Sequence, residues 1–199
     1  MAWVTDPNFG STLFAVPATS PFSTGGGNRM LNVWGGAGAT YRNDVSFTNM
    51  VVSCQFFFRV DDQGSGRDVG GLVVRRKTSD GSFYGSVIRH ELDSDQLYIF
   101  KYNGTLDTFT DFGVSYSLDT NPNFIPHNTI MNFELRIVEN SLTASILHTS
   151  GTLAVSVGTV DSTITGAGNP GVCSNLRAIS LGQNINGEMY FDNWSVSSL

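Results

Sequence analysis

Residues 70–104, GGLVVRRKTSDGSFYGSVIRHELDSDQLYIFKYNG, decide the fold. Three apolar-rich runs lie inside this stretch, at residues 72–77, 83–91 and 97–102. Asp80-Gly81 separates the first two, Asp93-Ser94-Asp95 the next two, and Asn103-Gly104 closes the third. Asp-Gly and Asn-Gly supply the positive φ of tight hairpin turns. Strands joined by such short links pair antiparallel. The stretch therefore reads as a three-stranded meander in the middle of a sheet, with no helical period in it.

The same alternation continues outward. Val52, Cys54, Phe56, Phe58 and Val60 share one face of a run whose other face carries Ser53, Gln55 and Arg59. Met131, Phe133, Leu135 and Ile137 alternate with Asn132, Glu134 and Arg136. Period two over this length marks a half-buried strand facing a core. Shorter strands are expected at 29–34, 40–43, 142–148, 152–157, 176–182 and 189–196. Residues 105–126 read as a long connection, and 164–172 as a loop leading into a strand. The total is about twelve strands and no convincing helix, the signature of a sandwich rather than a parallel sheet. Residues 29–199 are assigned to one sandwich domain, since all-β domains of this length commonly stay undivided. Residues 1–28 read as an irregular arm, broken by Pro7, Pro17, Pro21 and Gly25 to Gly27. Trp3, Phe9, Phe14 and Phe22 are its apolar anchors, expected to pack on the arm's own domain, with a neighbouring subunit as the alternative.

Composition narrows the function. The 199 residues carry 11 basic and 17 acidic side chains, a net charge of −6. Nucleic-acid binding draws on phosphate neutralisation by Lys and Arg, so that partner is not expected. The opening MAWVTDPNFGSTLF lacks the basic start and apolar segment of a signal peptide. No run approaches the roughly 18 apolar residues of a membrane-spanning helix. The expectation is a chain made in the cytoplasm with no export signal and no membrane insertion. Cys54 lies on an apolar face and reads as a buried thiol; with Cys173 it implies neither a particular disulfide nor a metal site. Gly35 to Ala39 is glycine-rich but lacks the Lys-Ser/Thr of a phosphate loop, so it reads as a turn. No cofactor is expected.

Three stretches, in this order, carry a family resemblance. GLVVRRK is followed by the Tyr-bearing FYGSVI; LRIVENSLTASILHTSGTLAVSVGTVDSTITGAGNPGV is a long hairpin ending in a Gly-rich turn; FDNWSV closes the chain. Together they make residues 50–199 resemble the concanavalin A-like lectin/glucanase superfamily, in its laminin-G-like, glycan-binding branch. The resemblance implies an all-β, antiparallel two-sheet jelly-roll sandwich. That architecture hosts lectins, glycosidases, adhesion modules and virion parts, so it does not fix the function.

Glucanases of this fold use Glu-x-Asp-x-x-Glu along one strand, and residues 91–96 read Glu-Leu-Asp-Ser-Asp-Gln. The amide of Gln96 can neither donate the catalytic proton nor take it back, and Asp93-Ser94-Asp95 reads as a turn. His90, His127 and His148 stand apart from one another, and no Gly-x-Ser-x-Gly elbow is present. Asp61, Asp62 and Asp68 share a loop without EF-hand spacing. No catalytic and no metal residue is assigned.

Sugar binding needs aromatic faces for the apolar side of the ring and polar groups for the hydroxyls. The glycan-contact candidates are Trp34, Tyr84, Tyr98 and Tyr102, with Arg75, Arg89 and Asn103 as polar companions. Tyr98, Phe100 and Tyr102 share one face of a strand whose other face, Leu97 and Ile99, is also apolar. That double apolarity fits a second core layer or a subunit contact as well as a glycan platform. Asp192 and Asn193, between Phe191 and Trp194, are expected to hydrogen-bond backbone at a sheet rim. The expected role is a non-catalytic binding or structural module on an exposed assembly such as a virion surface. Its partners would be glycans or protein subunits of a capsid- or tail-like, homo-oligomeric assembly. A stand-alone lectin-like module and a glucanase-like hydrolase are the alternatives.

Overall fold

The computed structural model describes residues 3–9, 14–15, 30–32, 38–59, 70–91, 94–117, 129–174 and 188–199. In chain order the strands among them begin with β1 (Trp3–Thr5), β2 (Phe14–Ala15), β3 (Met30–Asn32), β4 (Gly38–Arg42) and β5 (Met50–Arg59). Next come β6 (Gly70–Arg76), β7 (Phe83–Glu91), β8 (Ser94–Asn103) and β9 (Thr108–Ser117). The last are β10 (Ile130–Val138), β11 (Ser141–Leu147), β12 (Leu153–Val160), β13 (Asn169–Ser174) and β14 (Glu188–Ser198). Sheet A has the order β1-β4-β13-β6-β7-β8-β9, and sheet B the order β12-β11-β10-β5-β14-β3-β2. Every strand pairing is antiparallel.

Alternation places the core. Leu72, Val74, Tyr84, Ile88, Leu97 and Ile99 of sheet A meet Val52, Cys54, Phe56, Phe133, Leu135, Ile137, Leu142 and Ile146 of sheet B. Burying each large apolar side chain contributes roughly 1.5–3 kcal/mol. The outer faces of the two sheets differ. Sheet B turns polar pairs outward, Ser53 with Ser195 at 2.8 Å and Ser145 with Ser156 at 3.0 Å. Sheet A carries a second apolar layer there, of Val73, Phe83, Val87, Tyr98, Phe100 and Tyr102, with Phe9 and Phe109 packed against it. The doubly apolar β8 is thereby explained: Leu97 and Ile99 fill the core, and Tyr98, Phe100 and Tyr102 fill the second layer. Both cysteines are buried and neither is in a disulfide, and burial pushes the Cys54 thiol pKa up.

Several expectations are corrected. The arm is not wholly irregular: Trp3–Thr5 pairs with β4 as an edge strand, and Trp3 meets Trp194 edge-on at 4.8 Å. Residues 108–117, read as a connection, form β9. Ser94 and Asp95 belong to β8 rather than to a turn, paired with Glu91 and His90. Gly81 has the expected positive φ of 76°. Gly104 serves a different purpose: a Cβ there would stand 1.7 Å from the Asp80 carbonyl oxygen. The left-handed residue of that turn is Asp107, with φ 51°. Asp192 and Asn193 sit at a bulge opposite β5, where Asn193 has φ 50° and donates to the Gln55 side chain at 2.7 Å. Residues 176–182, expected as a strand, lie outside the described residues.

Candidate functional site

At one end of sheet A the β6–β7 turn, the end of β8 and the loop after β12 converge around a cleft of about 500 Å3. Tight contacts hold the turns together. Ser82 donates from its backbone N–H to Asp80 Oδ1 at 3.0 Å and from its hydroxyl to Oδ2 at 2.9 Å. The same hydroxyl accepts from the Gly104 N–H at 3.0 Å, tying the β8–β9 turn to the β6–β7 turn. Asn103 Oδ1 accepts from the N–H groups of Thr105 and Leu106, both at 3.1 Å. Tyr102 donates to Asp107 at 2.9 Å.

The opposite wall is held by Asp161. Its carboxylate accepts from the Tyr84 hydroxyl, from the Thr163 hydroxyl and from the Thr163 N–H at 2.9 Å. Lys101 Nζ lies 3.5 Å from Asp161 Oδ2 and donates to Thr163 Oγ1 at 2.9 Å. Burial alone would raise the Asp161 pKa, but the Thr163 and Tyr84 hydrogen bonds and the Lys101 charge outweigh it and hold the carboxyl below its ordinary range. Burial and the Asp161 bond raise the Tyr84 pKa, keeping the phenol a donor. A depressed folded-state pKa contributes stability that is present above the unfolded value near 4 and lost as pH falls through the folded one. Wild-type protein is therefore expected to lose more stability than Asp161→Asn between about pH 5 and pH 2. The difference is on the order of 1 kcal/mol, one hydrogen bond's worth, read from urea midpoints across that range.

The cleft assembles only part of the expected set. Tyr102 and Asn103 line it. Tyr84 and Arg75 stand one hydrogen bond behind it, through the Ile164 N–H at 2.9 Å and the Ile164 carbonyl at 3.2 Å. Tyr98 lies in the second apolar layer. Arg89 pairs with Gln96 in backbone register, toward the other end of the β7–β8 hairpin. Trp34 lies outside the described residues, as do Asp61, Asp62, Asp68 and His127. The aromatic-platform expectation is corrected: Tyr84, Tyr98 and Tyr102 are 0%, 5% and 1% exposed, so none offers a ring face to a ligand.

The residues that sequence reasoning missed are Lys77, Ser79, Asp80, Ser82, Lys101, Thr163 and Thr165. Their one traceable signal is cross-strand register, which sets Lys101 opposite Tyr84. The result is a cleft of hydroxyl, ammonium and amide groups with one carboxylate, that of Asp80. Among the described residues no three His, Cys, Asp or Glu side chains are grouped to hold a metal ion.

No protein-family model matches the sequence, and no curated protein does. Solved structures do match. A carbohydrate-binding module, CBM66 of Bacillus subtilis, superposes with a TM-score of 0.65 at 14% identity, over 98% of this chain and 95% of that one. Lectin I-B4 of Griffonia simplicifolia, in its metal-free form, gives 0.61 at 9% identity, with all of both chains covered (100% and 100%). The fold is the concanavalin A-like lectin jelly roll. A Bacteroides ovatus protein described as xyloglucan PUL GH43B also carries this jelly roll, matching 99% of this chain but 36% of its own, with a TM-score of 0.56 at 16% identity. Within the jelly roll, Glu91 ends β7 and Ser94 to Gln96 begin β8, at one end of that hairpin. The cleft lies at the opposite end of the same hairpin, beside Phe83 and Tyr102.

Proposed function

We propose that the chain is a non-catalytic carbohydrate-binding module and that the cleft beside Lys77, Lys101 and Asn103 is its sugar site. The carrying observation is the lining, in which hydroxyl, amide and ammonium groups converge on one concave space. Sugar hydroxyls donate and accept together, and such a mixed lining answers both needs. Similarity to a carbohydrate-binding module and to lectins supports the reading.

Among the described residues the cleft lining carries one carboxyl, Asp80, and not the pair that glycoside hydrolysis uses. Glycoside hydrolysis requires one carboxyl protonated and a second positioned as base or nucleophile. Asp80 directs both oxygens to Ser82. Asp161 is held ionised by three donors and Lys101.

A glycan array followed by calorimetry tests the reading. Wild type binds at least one glycan at sub-millimolar concentration and releases no reducing sugar. Ser79→Ala/Thr165→Val, which removes two exposed hydroxyls from the rim, lowers that affinity about ten-fold with an unchanged melting midpoint, the order expected from losing one or two hydrogen bonds. An array without a binder at millimolar ligand contradicts it. The virion-surface setting and the homo-oligomeric state rest on the sequence alone and form no part of the proposal.

A further inference from the structure

Resting on the cleft as a sugar site, we infer that it selects anionic sugars, those bearing a carboxylate or a sulfate ester, with Lys77 as the group that receives the charge. The chain is acidic overall, at −6, yet its cleft is lined by two of its 11 basic residues. A third, Arg75, stands behind the wall and donates to the carbonyl of the lining residue Ile164. Arg75 is buried and meets carbonyl and amide oxygens of Thr48, Asn49, Glu139 and Ile164, with no carboxylate among its partners in the described residues. Its charge is therefore solvated by dipoles but not cancelled.

Asp80 and Asp161 both accept hydrogen bonds here, though Asp80's bonds to Ser82 solvate its charge without cancelling it, as the dipoles around Arg75 do. Asp80 directs both oxygens to Ser82, and Asp161 receives Tyr84, Thr163 and Lys101. Lys101 uses donors on Thr163 and Asp161. Lys77 differs. Its ammonium has three donors, and one goes to the Ala167 carbonyl at 2.6 Å. No carboxylate lies within ion-pair distance of it among the described residues. Burial and the neighbouring Arg75 charge lower the Lys77 pKa, with Asp80 opposing. Lys77 thus stands beside a buried cation with two donors open and no carboxylate partner of its own among the described residues, a local deficit of paired negative charge. An anionic substituent would fill that deficit and take the unused donors as charge-assisted hydrogen bonds, the stronger kind. Neutral sugars would meet the same hydroxyl-rich rim without that gain.

The test compares the full chain's affinity for polygalacturonate, a sulfated galactan and a neutral galactan, by affinity electrophoresis and calorimetry at 50 mM NaCl. One or both anionic polymers are expected to bind at least ten-fold more tightly than the neutral one, and the pair identifies carboxylate or sulfate as the preferred group. Lys77→Gln is expected to bring the three within about two-fold, while Lys77→Arg keeps the preference. Circular dichroism checks that both variants fold, and 500 mM NaCl is expected to narrow the gap. Equal or tighter binding of the neutral galactan overturns the inference and leaves the sugar site standing. So does a preference that survives Lys77→Gln. No binding to these polymers or to any arrayed glycan overturns both.

Discussion

Replacing Arg75 with methionine is expected to lower stability by about 3–5 kcal/mol. The guanidinium is 1% exposed and reaches from sheet A to three separate loops. It donates to the Thr48 carbonyl at 2.7 Å, the Ile164 carbonyl at 3.2 Å and the Glu139 carbonyl. Those acceptors belong to the β4–β5 connection, the loop after β12 and the β10–β11 turn. The Ile164 bond is buried and the other two are part-buried, so a carbonyl left without its donor costs at most about 1–3 kcal/mol, and shared partners keep the sum from being additive. Lysine would not substitute, because one ammonium cannot span three dispersed oxygens as a planar fork does. Arg75 also has φ 51°, at the point where the β6–β13 register shifts. Glycine relieves that left-handed backbone, so Arg75→Gly should be less damaging than Arg75→Ala by about 1 kcal/mol. Guanidinium denaturation separates the two contributions. An Arg75→Met protein within 1 kcal/mol of wild type would contradict this account.

The second large effect concerns the arm. Asp6 is 0% exposed and pairs with Arg76, whose Nε lies 2.5 Å from Asp6 Oδ2. The Arg76 guanidinium also stacks 3.8 Å from the centre of the Tyr41 ring. Asp6→Ala leaves that cation buried without its acid, at a cost of about 3–5 kcal/mol. The double replacement Asp6→Leu/Arg76→Met removes both charges and should recover much of the loss. β1 is the edge strand of sheet A, and Trp3 rests on Trp194, so release of the arm should expose both indoles. The expected readouts are a lower denaturation midpoint and a red-shifted tryptophan emission. Unchanged values in Asp6→Ala would mean that the arm is held by other contacts.

The two packed sheets were visible in the sequence because their strands alternate without interruption. Val52, Cys54 and Phe56, or Met131, Phe133, Leu135 and Ile137, name their buried face directly. β9 was missed because it carries a register shift opposite Tyr98 and Phe100. Phe109 packs on the outer layer and Phe112, three residues on, packs on the core, so neither face shows a run of apolar residues at every second position. Arg75 and Asn193 hide in the same way, since a bulge leaves no composition signal. The tyrosines of β7 and β8 looked like a sugar platform because a doubly apolar strand does not reveal what covers it. The structure supplies the cover in Phe9 and Phe109. Lys77, Lys101 and Thr163 come together only through register and a long connection, and no local pattern announces such a meeting.

Backbone amide shifts during titration with the tightest glycan found address the sugar site most directly. The account predicts that the moving amides cluster at residues 77–82, 101–105 and 163–165, around one saturable site. Shifts confined to the β7–β8 turn or to the polar outer face of sheet B, with those three segments still, would contradict it.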